Sequence, residues 1–385
     1  MLVSADQAQA TCATKARDTL LDRAVAGYSL ALRDRSAMQT IAITGACGLV
    51  GQRLLEALLE RVDVGSILAL DLELPVIAVP GVDARVADVR DPGLAEILAG
   101  CDALVHLAFV SEPRRDVQAM REANVEGTKN VMQCAAEAGV ARVVHLSSAM
   151  AYGARPDNAI PLTEDAPLRA TAALAQASHK AEIERWLWEW AAQPGRPSVA
   201  ALRPSIVTGP GLDNMVTRWM ETPPFLTVRG HQPPVQFTHV DDVVSAVILL
   251  LDQSELTGPM NCASQGWLSH DEFLAVSGVR HVELPLEVAH QLAKRTWSVG
   301  LSPVPPGYLE YAMHPWVVDV QRLAAAGWRP RHTNREALQE LVREHREHLS
   351  LGPVRIRRQD MRRGALVTGA LGVGALAVRT IRGRG

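Results

Sequence analysis

From residue 40 onward, short apolar runs rich in Val, Ile, Leu and Ala alternate with stretches whose apolar positions recur at helical spacing. The runs 41–44, 66–70, 83–87, 103–107, 142–146 and 198–202 read as strands. The stretches 50–61, 93–99, 116–138 and 172–192 between them read as helices. Such alternation predicts an α/β fold: a doubly wound parallel sheet with helices on both faces. After Pro204 the rhythm loosens, and Pro210, Pro223, Pro224, Pro233 and Pro234 cut the chain into short pieces. A body of 38–350 is therefore expected, with a smaller substrate lobe built mainly from 205–345. Residues 1–37 show no strand pattern and end just before Met38, so they are expected to be a poorly ordered extension.

The first strand runs into Thr44-Gly45-Ala46-Cys47-Gly48-Leu49-Val50-Gly51, and a helix follows at once. Glycines at 45, 48 and 51 permit a tight turn and close backbone approach, and a helix N-terminus there offers N–H groups to a pyrophosphate. Asp71 ends the second strand, twenty residues after Gly51. A carboxylate at that point accepts hydrogen bonds from a ribose diol and repels a 2′-phosphate. With no arginine beside Ala46 and Cys47, the pattern predicts a Rossmann-type site for NAD rather than NADP.

Composition adds limits. The 385 residues are 48% hydrophobic and 21% charged, as in an ordinary globular protein, with no apolar run of the ~20 residues a spanning helix needs. The formal charge of −3 is uneven: 351–385 holds eight arginines against one aspartate, and 38–350 is acidic. An acidic body is a poor nucleic-acid surface. Five cysteines, with no C-x-x-C pair, support neither a metal site nor a disulfide framework and point to a reducing cytosol. The start also lacks the pattern of a secretory signal, so a cytoplasmic protein is expected.

Together these motifs resemble those of the NAD-dependent epimerase/dehydratase family, the extended short-chain dehydrogenase/reductases, over about 40–345. Besides Thr44–Gly51, the resemblance rests on Asp88-Val89, His106-Leu107-Ala108-Phe109, Asn124 in Asn124-Val125-Glu126-Gly127-Thr128, and Ser147-Ser148-Ala149-Met150-Ala151-Tyr152-Gly153. Leu202-Arg203-Pro204, Gly209-Pro210-Gly211 and His239-Val240-Asp241-Asp242-Val243 extend it. It implies that Gly45, Gly48, Leu49, Val50, Gly51, Asp71, Asp88, Val89, Leu107, Ala108, Phe109, Lys180 and Pro204 bind the cofactor. It also implies that Ser148, Lys180 and Asn124 belong to the catalytic group, while Tyr152 is structural. The expected activity is oxidoreductase or epimerase chemistry on a small sugar-like or hydroxyl/carbonyl substrate.

Three departures mark the chain as atypical. The family's Y-x-x-x-K pair places a tyrosine one turn before the lysine, on the same helix face. Here Gln176 stands four residues before Lys180. Glutamine forms hydrogen bonds but gives up no proton near neutral pH, so an altered mechanism is expected, or a non-catalytic NAD-binding sensor or scaffold. Ala149-Met150 stands where the dehydratases carry Asp-Glu, and Val235 where sugar-nucleotide epimerases hold the diphosphate with an arginine. Arg218 and Arg229 are alternatives to that arginine, although lone charges are more often surface.

Other residues are expected to be structural. Tyr308 and Tyr311 could enter the pocket but suit packing better. His106, His145 and His239 are expected to be satisfied core histidines, His179 a surface residue, and Glu164-Asp165 a solvated loop. Trp186 and Trp190 share a helix face suited to the core, while Trp188 points to a subunit interface and hence a homodimer. The uncharged run 364–378, flanked by arginines between 355 and 384, suits either a disordered tail or peripheral contact with the inner face of a membrane.

Overall fold

The computed structural model of the chain describes residues 39–73, 79–212, 221, 225–302, 304–345, 348–351 and 354–357. The expected N-terminal extension and nearly all of the arginine-rich tail lie outside the described residues, as do Tyr28 and Arg218.

A parallel sheet organises the molecule. Its strands are β1 (Gln39–Thr44), β2 (Val64–Asp71), β3 (Val82–Val86), β4 (Ala103–His106), β5 (Arg142–Leu146), β6 (Ser198–Pro204) and, later, Gly258–Cys262. The spatial order is β3-β2-β1-β4-β5-β6, with Gly258–Cys262 added beyond β6. Every pairing in it is parallel. Strand order reverses between β1 and β4, which opens a crevice at the carboxyl ends of those strands. All six expected strands form, within two residues of the expected limits.

Helices cover both faces, as near-continuous apolar strands require. On one face α1 (Leu49–Leu59) packs beside Val240–Asp252 over Ile41, Ile43, Ile67, Val105 and Val144. On the other, Leu94 and Leu98, α2 (Gly127–Glu137) and α3 (Ala175–Ala191) cover Ala42, Leu68, Leu104, Val143 and Ala201. Burying each Val, Leu or Ile side chain contributes about 1.5–3 kcal/mol against leaving it exposed. Trp190 is buried and its ring stacks on Trp186 at 5.6 Å, as their four-residue spacing predicts.

Within 205–345, Val240–Asp252 and Gly258–Cys262 return to the main sheet, while two small parallel ladders lie apart from it. Phe225–Val228 pairs with His281–Leu284, and Ile206–Thr208 with Phe237–His239. Farther on, His348–Leu351 and Val354–Arg357 form an antiparallel pair. Among the described residues, no helix is long and apolar enough to cross a membrane.

Candidate active site

The glycine loop closes the crevice from the β1 side. Gly45 has φ +74°, and a Cβ on it would lie 2.6 Å from the Ala108 backbone nitrogen. A Cβ on Gly51 would lie 2.5 Å from the Gly45 carbonyl oxygen, so the third glycine lets α1 pack onto the loop. Gly48 precedes α1 as its N-cap with no capping side chain, and no acid occupies the first helical turn. The first turn of α1, which contains Leu49, Val50 and Gly51, thus presents its positive end with no acidic side chain of its own.

Asp71 sits at the loop's edge. Its Oδ2 accepts the Cys47 N–H at 2.9 Å and its Oδ1 the Leu72 N–H at 2.7 Å. Burial, then the charges of Asp71 and Glu73, push the Cys47 thiol up to about 11, so it stays protonated. The next segment is tied alongside: Ala87 N–H donates to the Asp71 carbonyl at 2.9 Å. Asp88 pairs with Arg90 at 2.5 Å, a contact that holds its carboxyl below the usual range. Val89 packs against α2, where a Cβ on Gly127 would come within 2.7 Å of its Cγ2.

The segment Leu107–Ser111, which leaves β4, is where the other site residues meet. Leu107 N–H donates to the Thr44 carbonyl at 3.0 Å. Asn124 lies in a π-helical turn, Glu122–Glu126, of the kind that often marks functional sites. Its side chain pairs with the Val110 backbone in both directions, accepting at 2.7 Å and donating at 3.1 Å. Gln176 donates from Nε2 to the Ser111 carbonyl at 3.1 Å. Lys180, one turn on, places its Nζ 3.7 Å from the Phe109 ring centroid and 2.5 Å from the Leu146 carbonyl oxygen. Thus Asn124, Gln176 and Lys180 converge on one short segment, although Val110 and Ser111 carried no sequence signal of their own.

Burial sets the protonation here. Lys180 is buried and pushed down to about 7, against the opposing pull of Glu184. His106 is driven to about 3 by burial and then by Lys180. Its Nδ1 and Nε2 lie 2.6 and 2.9 Å from the Thr44 and Thr128 hydroxyls. Since Thr128 donates to the Asn124 carbonyl at 2.6 Å, it accepts from His106 Nε2–H, and Thr44 then donates to Nδ1.

Ser148 follows β5 and caps the short 3₁₀ turn Ala149–Tyr152, accepting the Met150 N–H at 3.2 Å. Its own proton can therefore point to a substrate oxygen. Tyr152 is structural, as expected: its hydroxyl donates to Asn261 at 2.8 Å and accepts from Arg203 at 2.6 Å. Burial pushes that phenol up to about 12. Arg203 also grips Glu184 at 2.6 Å, and Ser147 donates to the same carboxylate. Pro204, next in β6, pairs with Cys262. Tyr311 donates to the Met150 carbonyl at 2.8 Å and its ring lies 6.2 Å from that of Tyr308. Burial raises both phenols, in keeping with packing roles.

Several sequence expectations need correction. His179 is buried rather than on the surface, with Nδ1 3.3 Å from the Asn124 amide, because the bulged Asn124 turn covers that side of α3. Glu164 is buried, not solvated: its Oε1 accepts the Asn261 N–H at 3.0 Å as its loop folds over the sheet edge. Only Asp165 remains exposed, at 85% of its side chain. His145 is core but not satisfied: among the described residues neither ring nitrogen has a hydrogen-bond partner, and the ring stacks on His106 at 5.3 Å. Arg229 is exposed, and Val235 packs against the cluster of Phe225, Phe237 and Leu268.

His239, Asp241 and His332 bring potential ligand atoms within 4.8 Å of one another, a grouping their sequence separation concealed. The bonds there are those of a helix cap. His239 Nδ1 accepts the Asp241 N–H at 3.2 Å, His332 Nδ1 lies 3.0 Å from Asp242, and the two rings stack at 3.8 Å. A cavity of about 480 Å³ lined by Glu164, Leu168, Arg185, Trp188 and Arg203 includes none of Ser148, Gln176 or Lys180.

A glycine cradle at the strand-order reversal, under an uncapped helix and beside a fixed carboxylate, defines a dinucleotide-binding protein of the Rossmann class. Comparison with known proteins is more specific: the chain belongs to the NAD dependent epimerase/dehydratase family, whose model matches residues 41–263. NAD is accordingly its cofactor, and the residues of the crevice fit it. Among curated proteins, Uncharacterized protein Rv0501 of Mycobacterium tuberculosis is 24% identical over 335 residues, covering 83% of this chain and 87% of that one. A putative dihydroflavonol 4-reductase of Synechocystis is 33% identical over 117 residues, covering 30% of this chain and 34% of its own length. Among solved structures, the dTDP-glucose 4,6-dehydratase DesIV of Streptomyces venezuelae, with NAD bound, has a TM-score of 0.62 at 23% identity, covering 80% of this chain and 97% of that one. UDP-glucose 4-epimerase of Thermotoga maritima, with UDP-glucose, has a TM-score of 0.62 at 18% identity, covering 80% and 99%.

Proposed function

We propose that the protein is an NAD-dependent oxidoreductase or epimerase of altered mechanism, acting on a small sugar-like or hydroxyl/carbonyl substrate. The observation that carries this reading is the meeting of Asn124, Gln176 and Lys180 on Leu107–Ser111, a segment whose start lies against Gly45 of the glycine loop. When bound, NAD supplies a two-electron oxidant that its reduced form reverses. Gly45, Gly48 and the start of α1 would hold the pyrophosphate, Asp71 the adenosine ribose, and Phe109 and Lys180 the nicotinamide side. Ser148 would orient the substrate oxygen with its free proton, while Gln176, tied to Ser111, shapes the pocket wall.

A second reading, a non-catalytic NAD-binding sensor or scaffold, is favoured by one observation. The Gln176 amide is engaged by backbone and has no proton to give. The two readings separate when the full chain is incubated with NAD and, in turn, UDP-glucose, dTDP-glucose and cyclohexanol while nicotinamide absorbance and sugar products are followed. Any turnover abolished by Ser148→Ala supports the enzyme. NAD binding without turnover of any of the three supports the sensor.

A further inference from the structure

We propose that Arg115 is a clasp that fastens the small lobe to the cofactor side of the crevice, and that bound NAD tightens it. The proposal rests on NAD as the cofactor and not on the choice between enzyme and sensor.

Two segments leave the carboxyl end of the sheet beside the crevice, one after β4 and one after β5, and the small lobe touches both. Its grip on the second is by close packing. A Cβ on Gly307 would lie 1.9 Å from the Ala173 carbonyl oxygen, and the buried Tyr311 donates to the Met150 carbonyl in the turn that Ser148 caps. The grip on the first is polar and exposed. Arg115 Nη2 donates to the Trp297 and Ser298 carbonyls at 3.3 and 3.1 Å, partners 182 and 183 residues away in sequence.

Both sides of the contact are prepared for it. Trp297 and Ser298 end the helix Leu286–Ser298, and the last carbonyls of a helix carry its negative end and favour a guanidinium donor. Arg115 is held in place by its neighbours. Asp116 caps the helix Val117–Arg121 by accepting the Ala119 N–H at 2.9 Å, and the Val117 N–H donates to the Arg115 carbonyl at 3.1 Å. Ala289 of Leu286–Ser298 shares a small core with Val228, Leu309 and Met313, which joins that helix to Tyr308–Met313 as one piece. The packed contact at Gly307 is therefore the pivot, and the exposed guanidinium is the part that opens.

Arg115 stands four residues after Ser111, at the far end of the segment that begins against Gly45 and meets Asn124, Gln176 and Lys180. A cofactor seated on the glycine loop lies against the start of that segment and orders it, which favours the closed clasp. The effect is reciprocal: whatever factor NAD adds to closure, closure adds to NAD affinity.

The test is hydrogen exchange of the full chain, read by mass spectrometry over residues 286–302 with and without saturating NAD, beside calorimetric titration of NAD. In the parent chain NAD should slow exchange of this stretch. In Arg115→Met, which keeps the aliphatic stem, the stretch should exchange about 10-fold faster and NAD should no longer slow it. NAD should also bind that variant about 5-fold or more weakly. Arg115→Lys, with one compact ammonium for two carbonyls, should fall between the two. Unchanged exchange over 41–59, in β1 and α1, shows that the variants remain folded. Exchange over 286–302 that NAD leaves unaltered in the parent, or that Arg115→Met leaves unaltered, overturns the proposal. Faster exchange in Arg115→Met with NAD affinity and slowing retained would make Arg115 a helix cap alone, and the proposal falls. A parent chain that binds no NAD would sink the cofactor assignment and this coupling with it.

Discussion

Replacing Asp71 by asparagine tests how the crevice chooses its cofactor. The carboxylate is clamped by two backbone N–H groups, from Cys47 and Leu72, so it cannot swing away from a 2′-phosphate. Two unit charges about 4 Å apart repel by about 1 kcal/mol in water and by about 4 kcal/mol at an effective dielectric of about 20. Asp71 is half-buried, which puts the penalty near 2 kcal/mol, or about 30-fold in affinity. Glu73 adds negative charge at the same edge, and Arg90 is already paired with Asp88. Calorimetric titration of the parent chain should therefore find NAD bound at least about 30-fold more tightly than NADP, with the gap narrowing as salt rises. In Asp71→Asn the side-chain amide keeps an acceptor but no charge, so NADP should tighten by about 10-fold or more while NAD weakens modestly. Equal or tighter NADP binding by the parent chain would refute the electrostatic reasoning.

Other consequences follow from the same geometry. The unmodified chain should epimerise UDP-glucose only weakly, and Gln176→Tyr should raise product formation by about 10²-fold if a phenol can use the niche beside Lys180; chromatographic assay of the sugar nucleotide checks this. Arg203→Met would strand the fully buried Glu184 carboxylate and should cost about 3–5 kcal/mol in urea unfolding, whereas a cost below about 1 kcal/mol would mean the pair carries little. For the arginine-rich tail we propose peripheral attachment to anionic lipid. The full chain should then co-sediment with anionic vesicles at low salt and a chain ending at Gly352 should not, while both staying in the supernatant would rule attachment out.

The strands and the glycine loop were legible because each rests on local rules: apolar runs, a helix start and an acid at fixed distance. Gly258–Cys262 escaped notice since Gly258, Pro259 and Asn261 break the apolar pattern, and only pairing with β6 makes it a strand. The helix expected over 116–138 forms as Val117–Glu137 but widens to a π turn at Glu122–Glu126, where Asn124 bonds to Val110, a contact no local pattern reveals. Burial of His179 and Glu164 likewise depends on distant elements, the Asn124 turn and the backbone at Asn261. Motif matching placed Lys180 in the site, but its lack of a free counter-ion depends on Arg203 having claimed Glu184, which only the folded chain displays.

Native mass spectrometry of the full chain with added NAD bears most directly on the central claim, a crevice between β1 and β4 built for that cofactor. The expected spectrum carries one NAD per chain, lost in Gly51→Val, whose side chain would meet the Gly45 and Ala46 carbonyl oxygens. A circular-dichroism spectrum like the parent's would show that this variant still folds. A bare parent chain at saturating NAD, or a folded Gly51→Val that binds NAD as the parent does, would contradict the account.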